Sequence, residues 1–326
     1  MRFVIYGPGA VGGTIAARLS LAGHEVLLIA RGDHGATLRS EGMRFVAPEG
    51  EHRLRLDTVM HPAEVTWRED DMVLLAMKSQ HTHAAVAALA ECAPAQTSVI
   101  CAQNSVANER VALRCFANVY GMLINLPAMH MMPGEVFSFG EGASGLLDAG
   151  RFPRGVDERV ERLTQALAGS GFVADPDPNI MRKKYAKLLL NLANALEAAT
   201  DTYADTEDLV AQLHAEARAC FDAAGIDCGE PIEAQGGGRE IYTFATLPGQ
   251  ERFGGSTWQS LSRGTGNIET DYLNGEVVQL GRLCGVPTPV NELCQHLVRR
   301  MLHEGLPVGS FSVDDVRDQV RALAKR

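Results

Sequence analysis

Gly7, Gly9 and Gly12 fall in the run Gly7-Pro8-Gly9-Ala10-Val11-Gly12-Gly13, directly after a short apolar segment and at the head of a helical pattern. Glycines at this spacing serve phosphate chemistry. The first permits a tight turn, the second lets a pyrophosphate come against bare backbone, and the third lets helix and strand pack closely, with the helix N-terminus facing the negative charge. The run reads as a dinucleotide-binding turn, with Gly7, Gly9, Ala10, Val11 and Gly12 as its cofactor-binding residues. The choice of dinucleotide depends on the end of the next strand, where an acid suits a ribose 2′-hydroxyl and an arginine a 2′-phosphate. Arg31 adjoins that strand and favours NADP; Asp33, two residues on, is the alternative ligand and would favour NAD.

A second group of chemistry-bearing residues lies in the helical stretch NIMRKKYAKLLLNLANALEAAT, Asn179 to Thr200. Around Lys187 this stretch is apolar on nearly every side, which predicts a buried helix. Yet Lys184, Lys187, Asn191 and Asn194 follow one another at steps of three and four and so share one face. An amide buried without a partner costs about 1–3 kcal/mol, so such a stripe persists where it meets other polar groups or lines a wet cleft. The plainer alternative has the lysines snorkelling to the surface and the asparagines bonded to a neighbouring helix. A later polar cluster comprises Ser256-Thr257-Trp258-Gln259-Ser260 and the run Asn267 to Gly275, NIETDYLNG. There Glu269 stands in a helix-forming context beside Ile268, Tyr272, Leu273 and Val277, with a surface carboxylate as its plainer reading.

The elements that must carry these residues alternate in the first half. Arg2 to Tyr6, Glu25 to Ala30, Asp71 to Met77 and Ser98 to Ala102 are unbroken apolar runs of the kind shown by parallel strands buried on both faces. Helical patterns follow at Val11 to Leu21, Thr82 to Glu91 and Ser105 to Arg114. This βαβ alternation predicts an α/β protein with an N-terminal, doubly wound sheet of Rossmann type. After Tyr120 come shorter, glycine-punctuated strand-like pieces, then a helix near Asp157 to Ala168 and a strand near Gly171 to Ala174. Asp175-Pro176-Asp177-Pro178 marks a boundary, with Asp177 as N-cap and Pro178 as first helical residue. Residues 1–178 are expected to form the NADP-binding domain and residues 179–326 a second, all-helical domain carrying substrate and catalytic residues.

Composition limits the functional classes. Among 326 residues, 46% are hydrophobic and 21% charged, an ordinary globular balance. Thirty Lys plus Arg against 40 Asp plus Glu leave a net charge of −10, which disfavours nucleic acid and anionic membrane as partners. No apolar stretch approaches the ~20 residues that a bilayer requires. Met1-Arg2 lead straight into a strand pattern with no signal-peptide core, so a cytoplasmic location is expected. Seven cysteines without a C-x-x-C pair suggest buried free thiols, and neither a disulfide framework nor a metal site is expected.

The segments GPGAVGG, LLIARGDH, LLAMKSQ, AQNSVANE, KLLLN and NIETDYLNG followed by GVPTPVN, in this order, resemble the ketopantoate reductase family, the 2-dehydropantoate 2-reductases, over nearly the whole chain. The resemblance implies NADPH-dependent reduction of a 2-oxo acid, ketopantoate or a close relative, to the 2-hydroxy acid in pantothenate biosynthesis. It implies Lys187 as proton donor, desolvated enough to release its proton near neutrality, and Asn191, four residues on, as a substrate ligand. Glu269 would hold a substrate hydroxyl or position Lys187, while Lys78 and Asn104 would contact cofactor and substrate; Arg31 occupies the 2′-phosphate position.

The chain also departs from that family. Ala195 stands where a second substrate Asn is usual, and Asn194 comes one residue early, about 100° away around a helix. Thr257 replaces a substrate-binding Ser twelve residues before Glu269, and Gly254 replaces an Asn often found there. The expected substrate shell is therefore Asn104, Asn191, Asn194, Ser256 and Thr257, in a cleft between the two domains, and a related 2-oxo acid is an alternative to ketopantoate. The same residues are compatible with an NAD(P)-dependent dehydrogenase of another hydroxy acid or an opine-like substrate, and the glycine turn alone with a non-catalytic NADP-binding regulator. A homodimer is a candidate assembly.

Overall fold

The apolar runs of the first half pair into sheets in a computed structural model that describes residues 1–200, 204–247, 254–262, 264 and 268–323; Asn267 of the second polar cluster lies outside the described residues. The strands are β1 (Arg2–Tyr6), β2 (Glu25–Ile29), β3 (Met43–Ala47), β4 (Gly50–Leu54), β5 (Asp57–Val59), β6 (Asp71–Leu75) and β7 (Ser98–Cys101). They continue as β8 (Asn118–Met122), β9 (Ala128–Met129), β10 (Glu135–Ser138), β11 (Gly140–Glu141), β12 (Ala149–Arg151) and β13 (Thr243–Phe244). The helices are α1 (Ala10–Leu21), α2 (Gly32–Ser40), α3 (Thr82–Ala90), α4 (Asn108–Leu113), α5 (Glu158–Ala168) and α6 (Ile180–Ala199). After α6 come α7 (Glu207–Ala223), α8 (Ser256–Ser262), α9 (Asn274–Cys284), α10 (Pro289–Glu304) and α11 (Val313–Leu323).

Seven strands form one sheet in the order β12-β8-β7-β6-β1-β2-β5. All neighbours run parallel except β12, which is antiparallel to β8. The strand order reverses between β1 and β6, whose register from Arg2↔Asp71 to Tyr6↔Leu75 brings their carboxyl ends out together. Such a switch point is where open α/β sheets leave a crevice for ligands. Phe3, Ile5, Leu28, Leu74 and Ile100 are buried on one face with Ile15 and Leu19 of α1. Val4, Leu27, Val73, Leu75 and Val99 are buried on the other with Val86 and Leu89 of α3. Two covered faces are why these strands carry no polar alternation. At their amino ends the buried Arg2 guanidinium pairs with Asp71 at 2.7 Å.

Four further strands form a second sheet, β4-β3-β10-β9, in which β10 runs parallel to β3. Gly13 of α1 lets the helix approach it, since a Cβ there would stand 2.6 Å from Val136. The strand expected at Gly171 to Ala174 forms only a bridge of Val173 to Leu146. The long helix begins at Ile180 rather than Pro178. Asp177 does not cap it; its carboxylate accepts the N–H of Asn179 at 2.7 Å and pairs with Lys183 at 2.8 Å.

The chain divides into two compact units, Met1–Lys184 with Ile232–Glu251, and Tyr185–Pro231 with Arg252–Arg326. This differs from a cut between residues 178 and 179, for two physical reasons. Lys183 and Lys184 make their ion pairs with Asp148, Asp177 and Glu109 of the first unit. The excursion after residue 231 returns to the same unit, where β13 pairs with β11, Tyr242 donates to Asn125 at 2.9 Å and Arg182 pairs with Glu233 at 2.7 Å. The described part of the second unit is helical. There Asn274 Nδ2 donates to Leu192 O and to Asn291 Oδ1, both at 3.1 Å, and Asn291 donates to Glu216 at 2.8 Å. Among the described residues no cysteine forms a disulfide; Cys101, Cys220 and Cys294 are buried, but Cys115 and Cys284 are exposed, contrary to a uniform reading as buried thiols.

Candidate active site

The glycine turn closes β1 and opens α1, with Gly9 as N-cap. Gly7 has φ +92°, a conformation that disfavours any side chain, and a Cβ there would stand 2.9 Å from Met77 N. A Cβ on Gly12 would stand 2.6 Å from Gly7 O and 2.8 Å from Ala76 Cβ, so this glycine allows the helix onto the strand ends. Gly9 differs from both. A Cβ there meets nothing within 4 Å, so its backbone borders open space at the start of α1. Tight turn, open second glycine and close-packed third glycine are the arrangement a pyrophosphate requires, and these residues fit a dinucleotide. Ala10 and Val11 supply the first-turn N–H groups, which have no partner within the helix.

Three more expected site residues sit at the same carboxyl edge, each after a strand of the first sheet. Arg31 follows β2 as the N-cap of α2; its guanidinium is exposed and donates to His81 Nδ1 at 3.3 Å. Asp33 lies in the first turn of α2 and is also exposed. Lys78 follows β6 and Asn104 follows β7, both half-buried. Asn104 Oδ1 is shielded from solvent and makes no hydrogen bond among the described residues, so it is an acceptor available to a ligand.

One residue near the turn carries no signal of its own in the sequence beyond its place in LLIARGDH. His34 of α2 donates from Nε2 to Pro8 O at 2.8 Å and accepts the N–H of Gly134 at Nδ1, 3.0 Å. Those partners define a neutral imidazole with its proton on Nε2. Burial pushes its pKa down, against a smaller upward pull from the Pro8 carbonyl. His34 thereby fastens the glycine turn to the loop before β10.

The polar stripe of α6 separates into different environments. Lys184 is buried with its Nζ 2.7 Å from Glu109 Oε1, and it donates to Gln103 O at 2.9 Å and Met122 O at 3.2 Å. Gly121 packs beside this pair; a Cβ there would stand 3.4 Å from both Glu109 Oε1 and Lys184 Cδ, an ordinary contact distance. Lys187 is half-buried and lies one turn before Asn191. Asn191 is buried, and its Nδ2 has no partner among the described residues. Asn194 Nδ2 donates to Ser256 Oγ at 3.2 Å, so the structure brings these two expected substrate ligands together. Gly255 N donates to Glu197 Oε1 at 3.0 Å, and a Cβ on Gly255 would stand 2.9 Å from Asn194 Oδ1, so glycine permits this approach. Ala195 and Thr257 are buried. Glu269 is half-buried and precedes the short 3-10 turn Thr270–Tyr272, where its carbonyl accepts from Tyr272 N at 2.8 Å; it does not stand within a longer helix.

Comparison with known proteins covers both units. The family model described as ketopantoate reductase PanE/ApbA matches residues 3–150, and the one for the family's C-terminal part matches residues 179–302. The 2-dehydropantoate 2-reductase of Pyrococcus horikoshii is 25% identical over 304 residues, covering 92% of this chain and 97% of that protein. The enzyme of that name from Mesorhizobium japonicum is 29% identical over 340 residues, covering 93% and 98%. Among solved structures, a PanE/ApbA family ketopantoate reductase from Ralstonia eutropha superposes with TM-score 0.78 at 27% identity, covering 93% of this chain and 99% of that one. D-mandelate dehydrogenase in a ternary structure with NADH and anilino(oxo)acetate shares the fold, with TM-score 0.80 at 23% identity over 93% and 99%. No helix among the described residues is long and apolar enough to cross a membrane.

Proposed function

The chain belongs to the ketopantoate reductase family, and from that premise we propose that it is an NADPH-dependent reductase of a 2-oxo acid, with Lys187 as proton donor. Membership makes it an NAD(P)-dependent oxidoreductase acting on CH–OH groups. The single observation that carries the cofactor reading is the carboxyl edge of the first sheet. It sets the turn with Gly7, Gly9 and Gly12 at the β1/β6 switch point and puts Arg31, Lys78 and Asn104 at the ends of the neighbouring strands. When bound there, a reduced nicotinamide supplies hydride.

The chain's residues supply the rest. The N–H groups at the start of α1 bind pyrophosphate, and Arg31 pairs with the 2′-phosphate. Asn104 and Lys78 orient the nicotinamide ribose and the substrate. Asn191, with its unpartnered Nδ2, donates to the substrate. Lys187 passes a proton from Nζ to the oxygen that becomes the product hydroxyl, and Glu269 holds a substrate hydroxyl or orients Lys187. A 2-oxo acid other than ketopantoate is a second reading, favoured by the hydrogen bond that already occupies Asn194 and by the methyl group at position 195.

Oxidation of NADPH with a panel of 2-oxo acids tests this. Lys187→Ala should lower kcat by about 10²–10⁴, the usual worth of a general acid, while NADPH affinity stays near wild type. Dinucleotide binding without turnover of any 2-oxo acid would instead mark a non-catalytic NADP-binding protein.

A further inference from the structure

Two loops leave the carboxyl edge beside the switch point, one after β6 with Lys78 and one after β7 with Asn104. Beyond the strand ends, buried side chains join them. Gln103 Nε2 donates across to Met77 O at 2.7 Å and to Thr82 Oγ1 at 2.8 Å. Thr82 Oγ1 donates to Asn108 Oδ1 at 2.8 Å. Asn108 Nδ2 then divides its two protons between the loops, to Ser79 Oγ and to Asn104 O, both at 3.1 Å.

We infer that Asn108 is a positioning residue of the dinucleotide site, fixing the loop of Lys78 against the loop of Asn104. The inference rests on the cofactor reading given under Proposed function. Asn108 is 1% exposed, so its amide does not serve solvent or ligand directly. Its partners are the residue after Lys78 and the main chain of Asn104 itself, and an amide is the side chain able to donate twice and accept once in this space. The peptide it holds is followed by Ser105 at φ +74°, a left-handed conformation rare for a non-glycine residue. Strain of that kind persists where the surroundings over-determine the backbone, and it concentrates at ligand-binding sites. Asn104 Oδ1, the acceptor without a partner, sits on the residue so fixed.

The test is a double-mutant cycle on the full chain, read as NADPH dissociation constants by fluorescence titration and checked by thermal melting. Asn108→Ala should weaken NADPH about tenfold, the order of a lost hydrogen-bonded position. Added to Lys78→Ala or Asn104→Ala it should cost little more than either alone, because it acts through them. Unchanged affinity, or fully additive losses, would overturn the inference. If Asn108→Ala does not fold, Thr82→Val and Thr82→Ser decide. Weaker binding in the valine variant with wild-type binding in the serine variant supports the linkage, and wild-type binding in both defeats it. A wild-type protein that binds neither NADPH nor NADH removes the cofactor reading and this inference together, whereas wild-type binding with an indifferent Asn108→Ala removes the inference alone.

Discussion

Lys184 Nζ stands 2.7 Å from Glu109 Oε1, and both side chains are almost wholly withdrawn from solvent. The lysine is thus committed to a carboxylate and to the carbonyls of Gln103 and Met122, three residues before Lys187, the proton donor we propose.

Breaking such a pair from one side leaves an uncompensated charge. Lys184→Met should therefore destabilise the protein by about 3–5 kcal/mol, measured by urea denaturation. The double variant Lys184→Met/Glu109→Leu should recover much of that loss, because no charge is then left buried. A loss below about 1 kcal/mol in the single variant would mean that Glu109 is satisfied by other groups.

The proposed preference for NADPH rests on Arg31. Arg31→Ala should weaken NADPH by roughly 1.5–3 kcal/mol, the worth of a charge-assisted hydrogen bond, with NADH much less affected. Equal losses for both cofactors would remove the 2′-phosphate assignment, and tighter NADH binding by the wild type would point to Asp33.

The second reading of the substrate under Proposed function rests on α6. Asn194 is bonded to Ser256, and Ala195 offers only a methyl group where the family commonly has an amide. Sites reject an analogue strongly when their own buried polar groups would be left unpaired. Ketoisovalerate-like acids, which lack the 4-hydroxyl of ketopantoate, should therefore come within about tenfold in kcat/KM. A thousandfold preference for ketopantoate would show that another group recognises the hydroxyl.

His34 ties the glycine turn to pH. Its folded pKa lies below the ordinary 6.5, chiefly through burial. The unfolded chain then binds more protons between the two values, so the stabilisation is complete above about pH 6.5 and is lost as pH falls toward the folded pKa. Protonated Nδ1 can no longer accept from Gly134. Melting temperatures from pH 7.5 to 5 should fall less steeply in His34→Gln, with a residual slope from His214, whose pKa burial also lowers. Identical slopes would exclude His34 as the source.

Much of the fold was legible because it depends on local pattern. Unbroken apolar runs such as Val73 to Leu75 demand two covered faces, and the spacing of Gly7, Gly9 and Gly12 after β1 demands a turn with room for phosphate. Local pattern also singled out Arg31, Lys187, Asn191 and Glu269, and the family motifs added Lys78 and Asn104 as candidates. Long-range partners were not legible, because a residue's type does not say what will stand opposite it. The sequence placed Lys184 in one stripe with Lys187, and only folding sets Glu109, from the first turn of α4, against its ammonium. The bond of Asn194 to Ser256, 62 residues apart, and the pairing of β10 with β3 likewise arise from tertiary approach. The return of residues 232–247 to the first unit is hidden in the sequence for the same reason. Its two-residue strand has too short a pattern to declare itself, and it becomes a strand because the edge of β11 is there to bond it.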